Sequence, residues 1–263
     1  MIKTTKEKII IYQSEKISSF GGVGHFFSTR SGGISTGVFN SLNFGTHHGE
    51  AENMIKNLAL LKESLQCSGA KFVIPHQTHS DIVAVIDHSN IDDTFENTDA
   101  FITNLHDIFI CIKTADCVPI LLFDPIKKVV GAVHAGWRGT AQNIVGKTIA
   151  KMGVVYGCSP AHIVAAIGPC IGQPNYEVGS EVIESIKPLI ANPEKAFTAI
   201  VRSTGKSNLN LTEANHQLLA QAGIHPKNIE PFELCTHTHS KEFFSARRDG
   251  HKTGRMINGI ALL

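Results

Sequence analysis

The sequence predicts a mixed α/β fold of layered helices and sheets in one domain spanning residues 1–263, and three observations predict it. Ile108 to Ile112, Val118 to Phe123 and Val129 to Val133 are almost continuously apolar, the pattern of strands covered on both faces. Segments with apolar residues at helical spacing lie on either side of them. Strands and helices do not alternate in a regular rhythm, and neither a GxGxxG nor a GxxxxGK[ST] pattern occurs, so the fold is not Rossmann-like and no P-loop is expected.

The elements follow in order. Ile9 to Tyr12 and His25 to Thr29 read as short strands. The stretch RSGGISTGVFNSLNFGTHHG is rich in glycine and serine but carries apolar anchors at Ile34, Val38, Phe39, Leu42 and Phe44. It reads as an ordered loop lining a cleft. Glu52 to Cys67 places Met54, Ile55, Leu58, Leu61 and Leu65 at helical spacing. Phe72 to Pro75 and Ile82 to Ile86 read as strands around the turn HQTHS, and Asp92 to Asn97 as an exposed polar loop. The three central runs are expected to be adjacent strands, the second closed by Asp124-Pro125. Thr140 to Met152 is expected to be one helix, with Ile163 to Ile167 a buried strand and Ser180 to Leu189 a helix. Leu211 to Ala222 is a helix capped by Asn210 or Thr212, and Phe232 to Cys235 a late strand.

Apolar residues make up 42% and charged residues 18%, which places the chain among globular proteins. Twenty-four basic residues balance 23 acidic ones and are scattered, so no nucleic-acid partner is expected. The amino terminus lacks an apolar core of signal-peptide length, and no window of 18 apolar residues exists. A cytoplasmic location without membrane partners is expected. In that compartment the six cysteines, which form no CxxC pair, are free thiols or metal ligands rather than bridges.

Three residues stand where strand-like runs meet turns. His79 precedes the strand from Ile82, Cys117 follows Thr114-Ala115-Asp116, and His134 ends the run from Val129. Two imidazoles and a thiolate suit zinc, with a fourth position left for substrate. Their separations match no compact zinc motif, so ordinary polar histidines and a core cysteine compete with that reading. Asp116 is a candidate to orient a ligand histidine through its free ring nitrogen, or to cap a turn. His76 is a candidate base near the metal. In HAGWRGT, Gly136 and Gly139 permit close backbone approach. Amides at the following helix start favour an anion, and Arg138 can clamp phosphate. Arg30, Arg247 and Arg248 are further phosphate or substrate contacts. Phe243 and Phe244 either stack on a planar ring or fill core.

HQTHS, KTADCVPILLFDP, VVGAVHAGWRGT, AAIGPCIGQPNYEVG and FFSARRDG-HKTGR, in this order and after RSGGIST-LNFG, resemble the laccase-domain proteins. These are also described as multicopper polyphenol oxidases and as zinc-dependent purine nucleoside phosphorylases. The resemblance spans essentially the whole chain. It implies a zinc site of His79, Cys117 and His134. It also implies phosphorolysis of adenosine, with inosine, guanosine and methylthioadenosine accepted, and adenosine deamination. Small-molecule partners and a monomer or weak homodimer follow from it. His47 matches the family histidine of the loop, whereas His48, Glu50 and Leu58 depart from the pattern, as does the histidine-rich His237-Thr238-His239.

Phosphorolysis assigns catalytic roles to Cys117, His76, Asp116 and Arg247, and phosphate or substrate contacts to Arg30, His47, Arg138, Arg248 and Phe244. Deamination lacks the usual zinc-deaminase signature, so Glu177 or His76 would have to move the proton. Three other readings compete. A copper polyphenol oxidase would use the same triad, but a multicopper enzyme needs many more histidine pairs than His237 and His239. A cysteine hydrolase would use Cys117 as nucleophile and His134 as base. A structural zinc clip in a non-enzymatic binding protein would need a fourth protein ligand.

Overall fold

The computed structural model describes every residue from Met1 to Leu263. Its strands are β1 (Ile2–Lys6), β2 (Ile9–Gln13), β3 (Val23–Ser28), β4 (Lys71–Val73), β5 (Val83–Val85), β6 (Ala100–Thr103), β7 (Ile108–Thr114), β8 (Val118–Asp124), β9 (Val129–Ala135), β10 (Val164–Ile167), β11 (Glu177–Val178), β12 (Ser207–Asn208), β13 (Ile229–Pro231) and β14 (Met256–Leu262). Its helices are α1 (Glu15–Ser18), α2 (Ala51–Ser64), α3 (Trp137–Ala141), α4 (Ile144–Tyr156), α5 (Ser180–Ile186), α6 (Pro193–Ala196), α7 (Leu211–Gln221) and α8 (Ala246–Asp249).

Two six-stranded mixed sheets stack face to face. One runs β1-β2-β3-β14-β7-β4 and the other β13-β10-β8-β9-β6-β5. Alternation along each strand divides the core into three layers. Ile110 and Ile112 of β7 meet Leu121, Phe123, Val130 and Ala132 between the sheets. Phe109 and Cys111 point the other way, under Leu61 of α2 and the loop anchors Leu42 and Phe44. On the outer face of the second sheet, Ile120, Leu122 and Val133 pack beneath α4, α5 and α7 through Ile149, Val182 and Leu218. The mixed layered fold is therefore as expected, as two helix-covered sheets rather than one, and the double covering explains the near-continuous apolar runs. No helix is long and apolar enough to cross a membrane.

Several local expectations are corrected. The three central runs are not all neighbours: β8 pairs with β9, whereas β7 lies in the facing sheet beside β14. Thr140 to Met152 is two helices, broken where Asn143 turns left-handed (φ 53°) and accepts a hydrogen bond from Gly146 N at 3.2 Å. Phe232 to Cys235 is not a strand. Pro231 ends β13, and Cys235 makes a single bridge to Cys170. Strands β1, β6, β11, β12, β13 and β14 were not expected.

A buried side chain of α2 ties three points of the long loop together. Asn57 of α2 receives Ile34 N at 2.9 Å and donates to Ser35 Oγ and Asn43 O at 3.1 and 2.9 Å. Gly168, directly after β10, packs closely against β3, where a Cβ would lie 2.3 Å from the buried ring of Phe27. Gly168→Ala is expected to lose about 1–3 kcal/mol of stability through overpacking. Equilibrium urea unfolding reads this as a lowered midpoint at constant slope, and an unchanged midpoint would show that Phe27 has room to move.

Candidate metal centre and its rim

His79, Cys117 and His134 converge: one donor atom from each lies within 4.8 Å of the others. Cys117 Sγ and His79 Nε2 are 3.7 Å apart. Tetrahedral zinc with Zn–S near 2.3 Å and Zn–N near 2.05 Å would set that edge at about 3.6 Å, so the spacing fits. The backbone makes room as well. A Cβ on Gly136 would stand 3.0 Å from both Cys117 Sγ and His79 Cδ2. These three residues form the one convergent group of three or more His, Cys, Asp or Glu donors in the chain. No fourth protein donor closes it, the arrangement of a catalytic rather than a structural site.

Asp99 holds the group together. It is fully buried directly before β6, and the pairing of Ala100 with Val133 sets it beside His134. Its carboxylate accepts from His134 Nδ1 at 2.6 Å, from His79 N and Thr78 N at 3.1 Å each, and from Ser80 N and Oγ at 2.8 Å each. Its carbonyl receives His134 N at 2.8 Å. With Nδ1–H committed to Asp99, the Nε2 lone pair of His134 faces the site. The same grip holds His79 in a left-handed conformation (φ 62°). Burial opposes charge on Asp99, but the hydrogen bonds from His134 and Ser80 keep its pKa below the usual value.

Charge in the site is coupled. Burial alone would raise the Cys117 thiol, yet the adjacent His134 and His79 bring it down to about 6. Burial disfavours the His134 imidazolium, but Cys117 and Asp99 lift it to about 9. Without metal, a thiolate–imidazolium pair therefore occupies the interval between these values.

Of the two roles open to Asp116, it anchors a turn and does not orient a ligand histidine. Its oxygens accept from Thr236 Oγ1 at 2.6 Å, Ser245 Oγ at 3.0 Å and Arg247 N at 2.7 Å, tying the turn before Cys117 to the segment leading into α8. Asp99, which sequence reasoning missed, orients the histidine instead. The only available signal was an acid standing directly before the apolar run Ala100 to Ile102. Tyr176 was also missed. Burial raises its phenol, and the negative Cys117 and Asp116 raise it further while Arg247 and Arg138 oppose them. Arg247 lies 5.0 Å over the Tyr176 ring and donates to Glu177 O, and exposed Arg138 stacks on Trp137 at 4.3 Å. The rim thus presents two arginines on aromatic planes near the sulfur.

Other expected contacts are corrected. All five Arg248 donors are committed within the chain: two to Asp249, and the rest to the carbonyls of Thr236, His237 and Phe243. This leaves no fork for phosphate. Phe244 is fully buried beneath the Arg30 guanidinium, 4.3 Å away, and cannot stack on a ligand. Arg30 is spent largely on Asn40 O and Ser240 O, pinning the loop. His76 turns to Glu96 at 2.6 Å on the surface and is not among the converging donors. His47 is exposed and makes no side-chain hydrogen bond, and Glu177 is exposed and bonded to Lys206. The helix that begins within HAGWRG, at Trp137, has only five residues, too short for a strong dipole.

Asp99→Asn is expected to weaken metal binding at the triad by about 10- to 100-fold, read by competition with a chromogenic chelator. In chelator-stripped protein, ultraviolet thiolate absorbance should rise with a midpoint near about 6 and be lost in Cys117→Ala. A midpoint in the ordinary thiol range would refute the coupled pair. Because the folded pKa is depressed, the Cys117 contribution to stability is complete above the unfolded thiol value. It is lost as pH falls through about 6.

The family model described as multi-copper polyphenol oxidoreductase laccase matches residues 24–263. A Bacteroides thetaiotaomicron protein named purine nucleoside phosphorylase is 36% identical, covering 100% of this chain and 99% of its own. A protein named adenosine deaminase RL5, from an unknown prokaryote, is also 36% identical over 92% of this chain and 95% of its own. The crystal structure of YlmD from Geobacillus stearothermophilus superposes with a TM-score of 0.90 at 30% identity, covering 99% and 98% of the two chains. A Bacillus licheniformis protein, YfiH, gives 0.89 at 35% identity over 98% and 97%. With the fold, the convergent donors and these matches in agreement, the chain belongs to the multi-copper polyphenol oxidoreductase laccase family, whose members include proteins named purine nucleoside phosphorylase and adenosine deaminase.

Proposed function

We propose that this chain is a cytoplasmic, zinc-dependent purine nucleoside phosphorylase. It would convert adenosine and phosphate to adenine and ribose 1-phosphate, accept inosine, guanosine and methylthioadenosine, and deaminate adenosine as a side activity. One domain, residues 1–263, would carry the whole site. The observation carrying this reading is the open three-donor group braced by Asp99 beneath a rim of Arg138 and Arg247. The names of full-length relatives support the reaction class.

His79, Cys117 and His134 would hold the zinc, which when bound supplies Lewis-acid polarisation of an oxygen ligand. Asp99 keeps the Nδ1 proton on His134 and the Nε2 lone pair on the site, so the donor set needs no rearrangement as substrate arrives. Arg138 and Arg247 would supply fixed positive charge beside the nucleoside, where negative charge develops on the departing purine. Tyr176 and Trp137 hold those guanidinium planes in position and offer flat surfaces for a base.

The copper oxidase reading has less to stand on. A multicopper centre needs further clusters of histidines, and His237 and His239 do not converge with other donors; His239 bonds to Cys235 O at 2.9 Å. A structural clip lacks its fourth ligand.

Zinc-loaded protein incubated with adenosine is expected to release adenine and ribose 1-phosphate only when phosphate is present, with Cys117→Ala losing at least about 100-fold in rate. Inosine without adenine, resolved by chromatography, would reassign the chain as a deaminase. No product from folded, zinc-loaded protein would reject adenosine as the substrate.

A further inference from the structure

Two cations beside the metal centre have no acidic partner, and neither has a role in the chemistry described so far. Lys113 stands near the end of β7 and Arg255 directly before β14. The register pairs Lys113 with Ile257, so Arg255 is its diagonal neighbour on the same face, within reach for side chains of this length. That face carries Cys111, Phe109 and Ile257 and is roofed by the loop around Phe44. Both residues are half-buried.

The main chain of each is locked in place. Gln77, two residues before His79, clamps Lys113: its Oε1 accepts Lys113 N at 2.7 Å and its Nε2 donates to Lys113 O at 2.9 Å. Asn43 Oδ1 accepts Arg255 N at 2.8 Å, and Arg255 O accepts Phe44 N at 3.0 Å. The side chains remain largely uncommitted. Arg255 donates through Nη1 to Thr253 O and Gly254 O, leaving Nε and Nη2 free, and the Lys113 ammonium makes no hydrogen bond.

Neither cation belongs to an ion pair; the carboxylate nearest in electrostatic effect is Asp116, whose oxygens are already taken by Thr236, Ser245 and Arg247. Burial, and then repulsion from Arg255, push the Lys113 ammonium below its usual pKa. Burial likewise lowers Arg255, while the Cys117 sulfur and Asp116 counteract it, which places this guanidinium within electrostatic reach of the metal ligand. Two adjacent, half-buried positive charges are costly unless an anion joins them. The free donors, three on Lys113 and three on Arg255, match the acceptors of a tetrahedral dianion.

We infer that Lys113 and Arg255 form the inorganic phosphate subsite of the Cys117 centre, with a role separate from that of the exposed arginine rim. The inference rests on the phosphorolytic reading for its ligand and on the paired cations for its location. Hydrogen phosphate held there would attack the anomeric carbon of the ribose. The new carbon–oxygen bond forms as the glycosidic carbon–nitrogen bond breaks, and the bonding pair leaves with the purine nitrogen. The proton of the phosphate passes to the departing base, giving neutral adenine and ribose 1-phosphate dianion. Arg138 and Arg247 are then left to the nucleoside.

Steady-state kinetics on zinc-loaded Lys113→Met test this, with phosphate and adenosine varied separately. The phosphate KM should rise about 10- to 100-fold, with adenosine KM and zinc content unchanged, and Lys113→Arg should restore most of the loss. Calorimetric titration of inorganic phosphate into wild type and Lys113→Met, without nucleoside, supplies a readout independent of turnover. Binding present in wild type and lost in Lys113→Met supports the subsite even if adenosine is not cleaved. Phosphate-dependent cleavage with an unchanged phosphate KM in folded Lys113→Met would overturn the subsite and leave the phosphorylase reading standing. Absence of phosphate binding to wild type in both assays would overturn it as well.

Discussion

The site depends on one buried carboxylate. Asp99 receives five hydrogen bonds from three consecutive residues of the HQTHS turn and from the end of β9, so a single charge fixes two donors from segments far apart in sequence. A buried carboxylate is tolerated only when its lone pairs are filled, and here they are filled by the groups that must be positioned. The candidate donor group is therefore organised by the protein itself. Gly136 completes the arrangement by leaving the space that a side chain would occupy between Cys117 and His79.

Around this centre the charge is divided by burial. Arg138 and Arg247 lie exposed on aromatic planes, whereas Lys113 and Arg255 are half-buried under the loop held by Asn57. Exposed cations are screened by water and salt and steer ligands broadly. Enclosed cations act more strongly and over shorter distances, which suits a small anion that must be aligned for in-line attack. The Asp116 hub links the two regions, since it anchors both the turn bearing Cys117 and the backbone of Arg247.

The layers were legible because they are written locally, whereas the donor triad was only one candidate from position and was singled out by the motif resemblance. Apolar runs with both faces covered announce buried strands, and His79, Cys117 and His134 each mark where such a run meets a turn. Asp99 was not legible, because its partner is set by the register of β6 on β9, a pairing between segments some thirty residues apart along the chain. The same holds for Lys113, an isolated cation after an apolar run whose meaning comes from β14, more than 140 residues later. Arg248 and Phe244 misled for the opposite reason. Their residue types suit phosphate and base recognition, but the fold spends one on four backbone and carboxylate partners and buries the other. Helix and strand ends shifted where a cap or a proline intervened, as at Asn143 and Pro231.

The central place of β14 bears on how the chain reaches this state. It lies between β3 and β7, and its bonds to Ser28 and to Ile112 span 229 and 146 residues of sequence. Until β14 inserts, the first sheet is two separate pieces, each ending in an unpaired edge. Closing loops of this size is slow, and open edges of apolar strands recruit other chains while they wait. Because Arg255 leads directly into β14 and Lys113 sits across from it, the cation pair comes together only when that insertion is complete. The paired cations therefore exist only in the state in which β14 joins the two pieces of the sheet.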